Sequence, residues 1–168
     1  MKKWMKIWMV FILACTVVGC SKSEDYKEIP VTMDEVLEMS EKQEDFVLLV
    51  ERENCPFCED LQAFLNESKQ EHKNLKVYVL DVTEFKFKKE GDTLTSKTED
   101  GKAFLEMFPY FLYTPSIYQI QSGEAIQVGV GFDAALQEIS VWDVDSVVDF
   151  HLASGKNIWR YIEEAQES

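Results

Sequence analysis

The chain has 168 residues, of which 46% are hydrophobic and 12% aromatic, enough for one domain with a packed core and too apolar for disorder throughout. Seven Gly and four Pro exclude a fibrous or low-complexity chain. Its 31 acidic residues against 17 Lys and Arg give a formal charge of −14, which argues against nucleic acid as a partner, because phosphates call for basic side chains. Four cysteines are too few for a disulfide scaffold and enough for one redox pair or one metal site.

The N-terminus reads as an address. Lys2, Lys3 and Lys6 precede an apolar run from Ile7 to Gly19, shorter than the ~20 residues of a spanning helix. The run ends Val17-Val18-Gly19-Cys20, which resembles the box of bacterial lipoproteins, an aliphatic residue three before the cysteine and small residues beside it. That resemblance implies residues 1–19 as a signal peptide, a diacylglycerol on the Cys20 sulfur, and a mature chain at the outer face of the cytoplasmic membrane, or in the outer membrane of a Gram-negative cell. The other reading is an uncleaved anchor. Cleavage removes three Lys and no acid, leaving 14 basic against 31 acidic residues, in a compartment that permits disulfides. Cys15 then leaves with the signal and Cys20 is blocked, so Cys55 and Cys58 are the remaining thiols. Residues 20–30, mostly polar, read as a tether, and 31–168 as the domain.

Thr32 with Glu35 three residues on is a capping-box pattern, and Met33, Val36 and Leu37 follow at helical spacing, predicting a helix over 32–43. Phe46 to Val50 is a continuous apolar run bounded by charge, the pattern of a strand buried on both faces. A helix opens at the cysteines, with Phe57, Leu61, Phe64 and Leu65 on one face; Lys76 to Val82 is the next strand. Residues 84–103 are charged, carry Gly91 and Gly101, and read as an exposed excursion into a short helix at 100–108 that Pro109 ends. Ser116–Gln121 and Ala125–Val130 flank Ser122-Gly123 as a tight hairpin. The rest reads as helical, with Val144, Val147 and Val148 in one segment and Ile158, Trp159, Tyr161 and Ile162 in the last. This order implies a mixed sheet covered on both faces.

The chemistry lies in Cys55-Pro56-Phe57-Cys58. Two cysteines two residues apart, at a strand-to-helix junction, can bond across one helical turn. The free N–H groups of the helix start favour a thiolate on Cys55, the species that attacks a disulfide, and Cys58 one turn in can resolve the mixed disulfide. Pro56 costs no hydrogen bond in a first turn. Three other readings of the pair stand beside this one. A zinc site needs about four ligands, and the chain offers no second cysteine pair and only His72 and His151. A structural disulfide would close a small loop and stabilise little. An inert buried pair is the third.

The mature chain resembles the thioredoxin fold, over roughly residues 32–165. Besides the cysteine pair, Thr114-Pro115-Ser116-Ile117-Tyr118 leads to Gly123-Glu124 and then to Val130-Gly131-Phe132, matching the family's cis-proline strand, Gly-turned hairpin and following Gly. The resemblance implies an α/β, thioredoxin-like fold: a central mixed sheet flanked by helices on both faces, with residues 84–102 as an insertion before the cis-proline strand. It implies Cys55 as nucleophile, Cys58 as resolving thiol, and Pro115 as the cis-proline, where an ordinary trans proline is the alternative. A substrate strand would pair with the backbone of Thr114, and Pro56 and Phe57 would touch it. No cofactor is implied beyond the redox-active Cys55–Cys58 pair itself, and no metal.

The pattern departs from thioredoxin in places. Asn54 stands where the family has Trp, Pro56-Phe57 where it has Gly-Pro, and Leu49 where it has a buried acid, whose role passes to Glu51 or lapses. A lipid-anchored chain of this kind also resembles the accessory proteins encoded with some Gram-positive bacteriocins. The expected activity is therefore thiol–disulfide exchange on secreted or surface proteins or peptides, recharged by a separate redox partner, at a membrane reached through the lipid. The alternative is a non-catalytic module that uses the fold to hold a secreted peptide or an export partner. Glu51, Glu53, Glu59 and Asp60 surround the pair with only Arg52 opposed, which disfavours the thiolate and points to reductase or isomerase behaviour. Phe108, Tyr110, Phe111 and Tyr113 read as core packing or as a rim for substrate chains. Lys86, Lys88 and Lys89 read as a solvated loop or a contact for anionic headgroups. Trp142 and Trp159 read as packing residues.

Overall fold

The computed structural model describes residues 24–91 and 93–167; Cys15, Cys20 and the signal segment lie outside them. The elements are β1 (Lys27–Val31), α1 (Met33–Glu41), β2 (Phe46–Glu51), α2 (Pro56–Ser68), β3 (Lys76–Asp81), β4 (Lys88–Glu90), β5 (Thr93–Thr95), α3 (Glu99–Met107), β6 (Ser116–Gln121), β7 (Glu124–Asp133), β8 (Glu138–Trp142), β9 (Ser154–Asn157) and α4 (Ile158–Glu167). Seven strands form one sheet in the order β1-β3-β2-β6-β7-β8-β9. β1, β3 and β2 run parallel; from β2 to β6 and onward every pair is antiparallel.

Alternation along β2 explains why the sheet is covered twice. Phe46, Leu48 and Val50 face one layer, with Met33 and Val36 of α1 and Phe104 of α3. Val47 and Leu49 face the other, with Leu61 and Leu65 of α2 and Ile158, Tyr161 and Ile162 of α4. All five apolar residues of β2 are buried, so the run is continuous instead of alternating. Each fully buried aliphatic side chain in these layers contributes about 1.5–3 kcal/mol relative to exposure.

Local chemistry sets the element ends. Thr32 caps α1 in a full capping box: the Glu35 N–H donates to Thr32 Oγ1 at 3.3 Å and the Thr32 N–H to Glu35 Oε2 at 2.8 Å. The β6–β7 turn has Ser122 at φ 50° and Gly123 at φ 80°, the left-handed pair of a two-residue hairpin. Ser40 Oγ donates to the Gly123 carbonyl, and a Cβ on Gly123 would overlap the Ser40 backbone, so the turn is docked onto the end of α1. Tyr161 Oη donates to the Ile117 carbonyl at 3.0 Å and Gln119 Nε2 to the Tyr161 carbonyl at 2.9 Å, pinning α4 to β6.

Three expectations are corrected. The N-terminal tether ends before β1: Lys27–Val31 is a strand on β3, and Tyr26 is buried, because an isolated Tyr and an Ile-Pro-Val run are enough for an edge position. The charged excursion at 84–103 contains a hairpin, β4–β5, fixed by Ser96 and Thr98 hydroxyls that donate to the Phe85 carbonyl at 2.5 and 3.1 Å. Phe85, Phe87, Phe104 and Phe111 then join it to the core, with ring centroids 4.8–5.9 Å apart. Finally, the segment expected to be helical around 134–157 adds β8 and β9 to the sheet instead. Ile139 and Val141 alternate with Glu138, Ser140 and Trp142, and Gly129 lets the Ile139 side chain close on β7 where a Cβ would collide. Val144, Val147 and Val148 lie in the connecting loop.

Candidate active site

Cys55 follows the C-terminal end of β2, after Asn54 turns the chain at φ 55°. It is itself the N-cap of α2, and the Cys58 N–H donates to its Sγ at 3.3 Å. Pro56 occupies the first turn of α2, where no backbone partner is lost. Cys55 and Cys58 are joined in a disulfide with Cα atoms 5.2 Å apart. One peptide N–H of the helix start is therefore already aimed at the sulfur that would carry a thiolate.

The second wall comes from the start of β6. The Thr114–Pro115 peptide is cis. Thr114 Oγ1 donates to Cys55 Sγ at 3.4 Å, and the Thr114 carbonyl oxygen lies 3.5 Å from the same sulfur. Gly131, at φ 70°, donates its N–H to the Pro115 carbonyl at 2.8 Å, fixing the cis segment against β7. Cys55, Cys58, Pro56, Phe57, Thr114 and Pro115 are thus brought together from two distant stretches of sequence. Cys55 is no more open than its partner, at 3% against 4% exposure, with Thr114 against its sulfur. Phe57 is 59% exposed, as its place beside the pair demands.

Two grooves meet beside the disulfide, one lined by Cys55 itself and the other by its neighbours Phe57 and Thr114. One, about 460 Å³, runs between Cys55, Phe57 and the β4–β5 hairpin, with Lys89 and Leu94 of the hairpin and Phe87 just before it forming its far wall. The other, about 650 Å³, runs between Phe57, Thr114 and the arm from β7 to β9, with Phe132, Leu136 and Phe150 along it. The aromatic run before Pro115 divides between two roles: Phe108 and Phe111 are core, while Tyr110 and Tyr113 are exposed and Tyr113 packs edge-on against Phe150 at 5.4 Å. Phe87, Leu94, Leu136 and Phe150 were not singled out by sequence reasoning. Their one signal is the placing of large apolar residues within otherwise polar stretches. Trp159 is buried and donates its Nε1–H to Ser68 Oγ at 2.8 Å; Trp142 is half-buried, its Nε1–H on Ser146 Oγ at 2.9 Å. Lys86, Lys88 and Lys89 are exposed, and Lys86 lies 3.6 Å from Glu84.

Glu51 shares its direction along β2 with Val47 and Leu49 and so faces α2, where Gln62 Nε2 donates to it at 3.0 Å. It lines a small pocket of about 400 Å³ with Cys58. Burial holds its carboxyl above the usual range; the Gln62 hydrogen bond draws it back, and Glu28 and Asp81 push it up again. Leu49, one repeat earlier, is fully buried. An acid is therefore present on this face, displaced one step toward the end of the strand.

Among the described residues no group of three or more His, Cys, Asp or Glu is arranged to hold a metal ion, and none of the described helices is long and apolar enough to cross a membrane. The chain is a mixed α/β protein with a central sheet flanked by helices and a Cys55–Cys58 disulfide at the start of one of them. No protein-family model matches it, and a search of curated proteins finds no match.

Proposed function

We propose that the chain is a thiol–disulfide oxidoreductase of thioredoxin-like fold, tethered outside the cytoplasmic membrane by a lipid on Cys20. The observation that carries the reading is the meeting of the Cys55–Cys58 pair, at the N-terminus of α2, with the cis Thr114–Pro115 segment 3.5 Å from Cys55 Sγ. The lipid anchor rests on the sequence of residues 1–20 alone.

In the reducing direction the Cys55 thiolate attacks a substrate disulfide. A Cys55–substrate disulfide forms and one substrate sulfur leaves as thiolate. The Cys58 thiolate then attacks Cys55 Sγ, closing the Cys55–Cys58 bond and releasing the second substrate sulfur. The pair loses two electrons, the substrate disulfide gains them, and the released thiolates take up protons. Glu51, in the pocket behind Cys58, accepts the Cys58 proton. An external dithiol returns the pair to the reduced state. The acidic surroundings of the pair favour this direction, or isomerisation, over strong oxidation.

Cys58→Ser tests the proposal, because it leaves the attacking thiol and removes the release step. Cells expressing the full chain with this change should accumulate mixed disulfides through Cys55, separable on non-reducing gels. A complete absence of such adducts, with no turnover of insulin disulfides by the unaltered chain, would favour a binding module that keeps the fold without the chemistry.

A further inference from the structure

We infer that the site reads the charges on either side of a substrate cysteine: it takes an extended peptide that places an acidic side chain toward the β4–β5 hairpin and a basic one toward the β7–β8 arm. The inference rests on the oxidoreductase reading and adds a substrate class to it.

The two grooves meet at Phe57, Tyr113 and Thr114, which line both, so a chain laid across the disulfide enters one groove on each side. Their ionic linings are opposite. Among the described residues the hairpin groove is lined by Arg52 and Lys89 and no acid, and the other by Asp60, Asp133 and Glu138 and no Lys or Arg. A purely cationic lining runs against a chain with 31 acids and 17 bases, whereas the acidic one follows it. Strand alternation places the cation: Lys89 and its cross-strand partner Leu94 face the groove, while Lys88 and Glu90 are absent from its lining. Arg52 and Lys89 are exposed and have no ion-pair partner among the described residues, and the same holds for Asp60. These charges are free to meet a ligand. Between them the apolar surface of Phe57, Phe87 and Leu94 on one side and Leu136 and Phe150 on the other suits a peptide with apolar residues near its cysteine.

Charge complementarity of this kind chooses orientation more than it adds affinity. Each exposed pair is worth up to about a fivefold change. Two correct pairs set against two repulsions should separate a peptide from its charge-reversed counterpart by roughly tenfold.

The test uses the full chain, pre-reduced in detergent, and short peptides disulfide-linked to a fluorescent reporter thiol. One peptide has Glu before and Lys after its cysteine, a second has the reverse, and a third is neutral. The exchange is the first step given above, with the reporter as the leaving thiolate. Single-turnover rates should favour one charged peptide over its reverse by roughly tenfold at low salt, with the difference collapsing near 1 M salt. Lys89→Glu and Asp60→Lys should each cut that ratio at least threefold, and together invert it; taking the ratio removes any change in the thiol's own reactivity. Equal rates for all three peptides overturn the inference and leave the oxidoreductase reading standing. A preference that survives both substitutions overturns it too, since other groups would then be doing the selecting. Failure of every peptide, the neutral one included, to release its reporter overturns both.

Discussion

The inner and outer parts of the molecule do different work. The inner part, β3-β2-β6 with α2 and α4, holds Cys55, Cys58 and the cis Thr114–Pro115 segment in place. The outer part, the β4–β5 hairpin with the β8–β9 arm, supplies the far walls of the two grooves. The inner part is apolar and closely packed, so its residues answer to stability and to sulfur geometry together. The outer part presents exposed and mixed side chains, so it can vary in what it admits without disturbing the sulfurs.

The strongest break in this comparison is at the sulfur itself. Cys55→Ser should abolish insulin reduction while leaving the far-ultraviolet dichroism unchanged; residual turnover at the original rate would remove the inner part's claim to the chemistry. Leu61→Ala opens a hole between α2 and β2 where Leu61 is fully buried, and should cost about 2–5 kcal/mol, read as a lower urea midpoint at unchanged slope. Glu51→Gln should slow release of the mixed disulfide roughly a hundredfold, measured by quenched-flow trapping. The same change should raise stability at neutral pH. The sign follows from the raised carboxyl of the folded state: its penalty is absent below the ordinary Glu value of about 4, and complete once pH exceeds the raised value, so the gain from Gln grows with pH through that interval. Equal pH profiles for the two proteins would remove Glu51 from the account. The smallest effect belongs to the outer part. Leu94→Ser, at a half-buried side chain packed against the core, should cost about 1 kcal/mol and raise KM for apolar peptides with little change in kcat.

The inner part was also the more legible in sequence, for a physical reason. A strand buried on both faces writes a continuous apolar run at Phe46–Val50, a capped helix writes Thr32 and Glu35, and a two-residue hairpin writes Ser122-Gly123; each is a local rule. The resemblance to thioredoxin brought Pro115 to the cysteines, and no spacing could have done so, because Cys55 and Thr114 are 59 residues apart. The outer part depends on partners that the local pattern does not name. Val144, Val147 and Val148 have helical spacing, yet the loop that holds them packs against the sheet without forming a helix. Ile139 became a strand residue because Gly129, ten positions earlier, leaves room for it on β7. Likewise, the groove-facing role of Lys89 and Leu94 follows from which side of β4–β5 meets Phe111 and Thr114, a matter of tertiary packing.

The two borders of the sheet have a consequence of their own. β1 carries Lys27, Glu28 and Pro30, which has no N–H to offer, and β9 is four residues with no apolar side chain, Ser-Gly-Lys-Asn. Both are poor templates for adding a further strand, from another copy or from an unfolded chain. On the proposed function, a chain that binds extended peptides would be exposed to co-aggregating with them along its own rim. Here the rim is blunted on both sides, which on that reading would leave capture to the grooves beside the sulfurs.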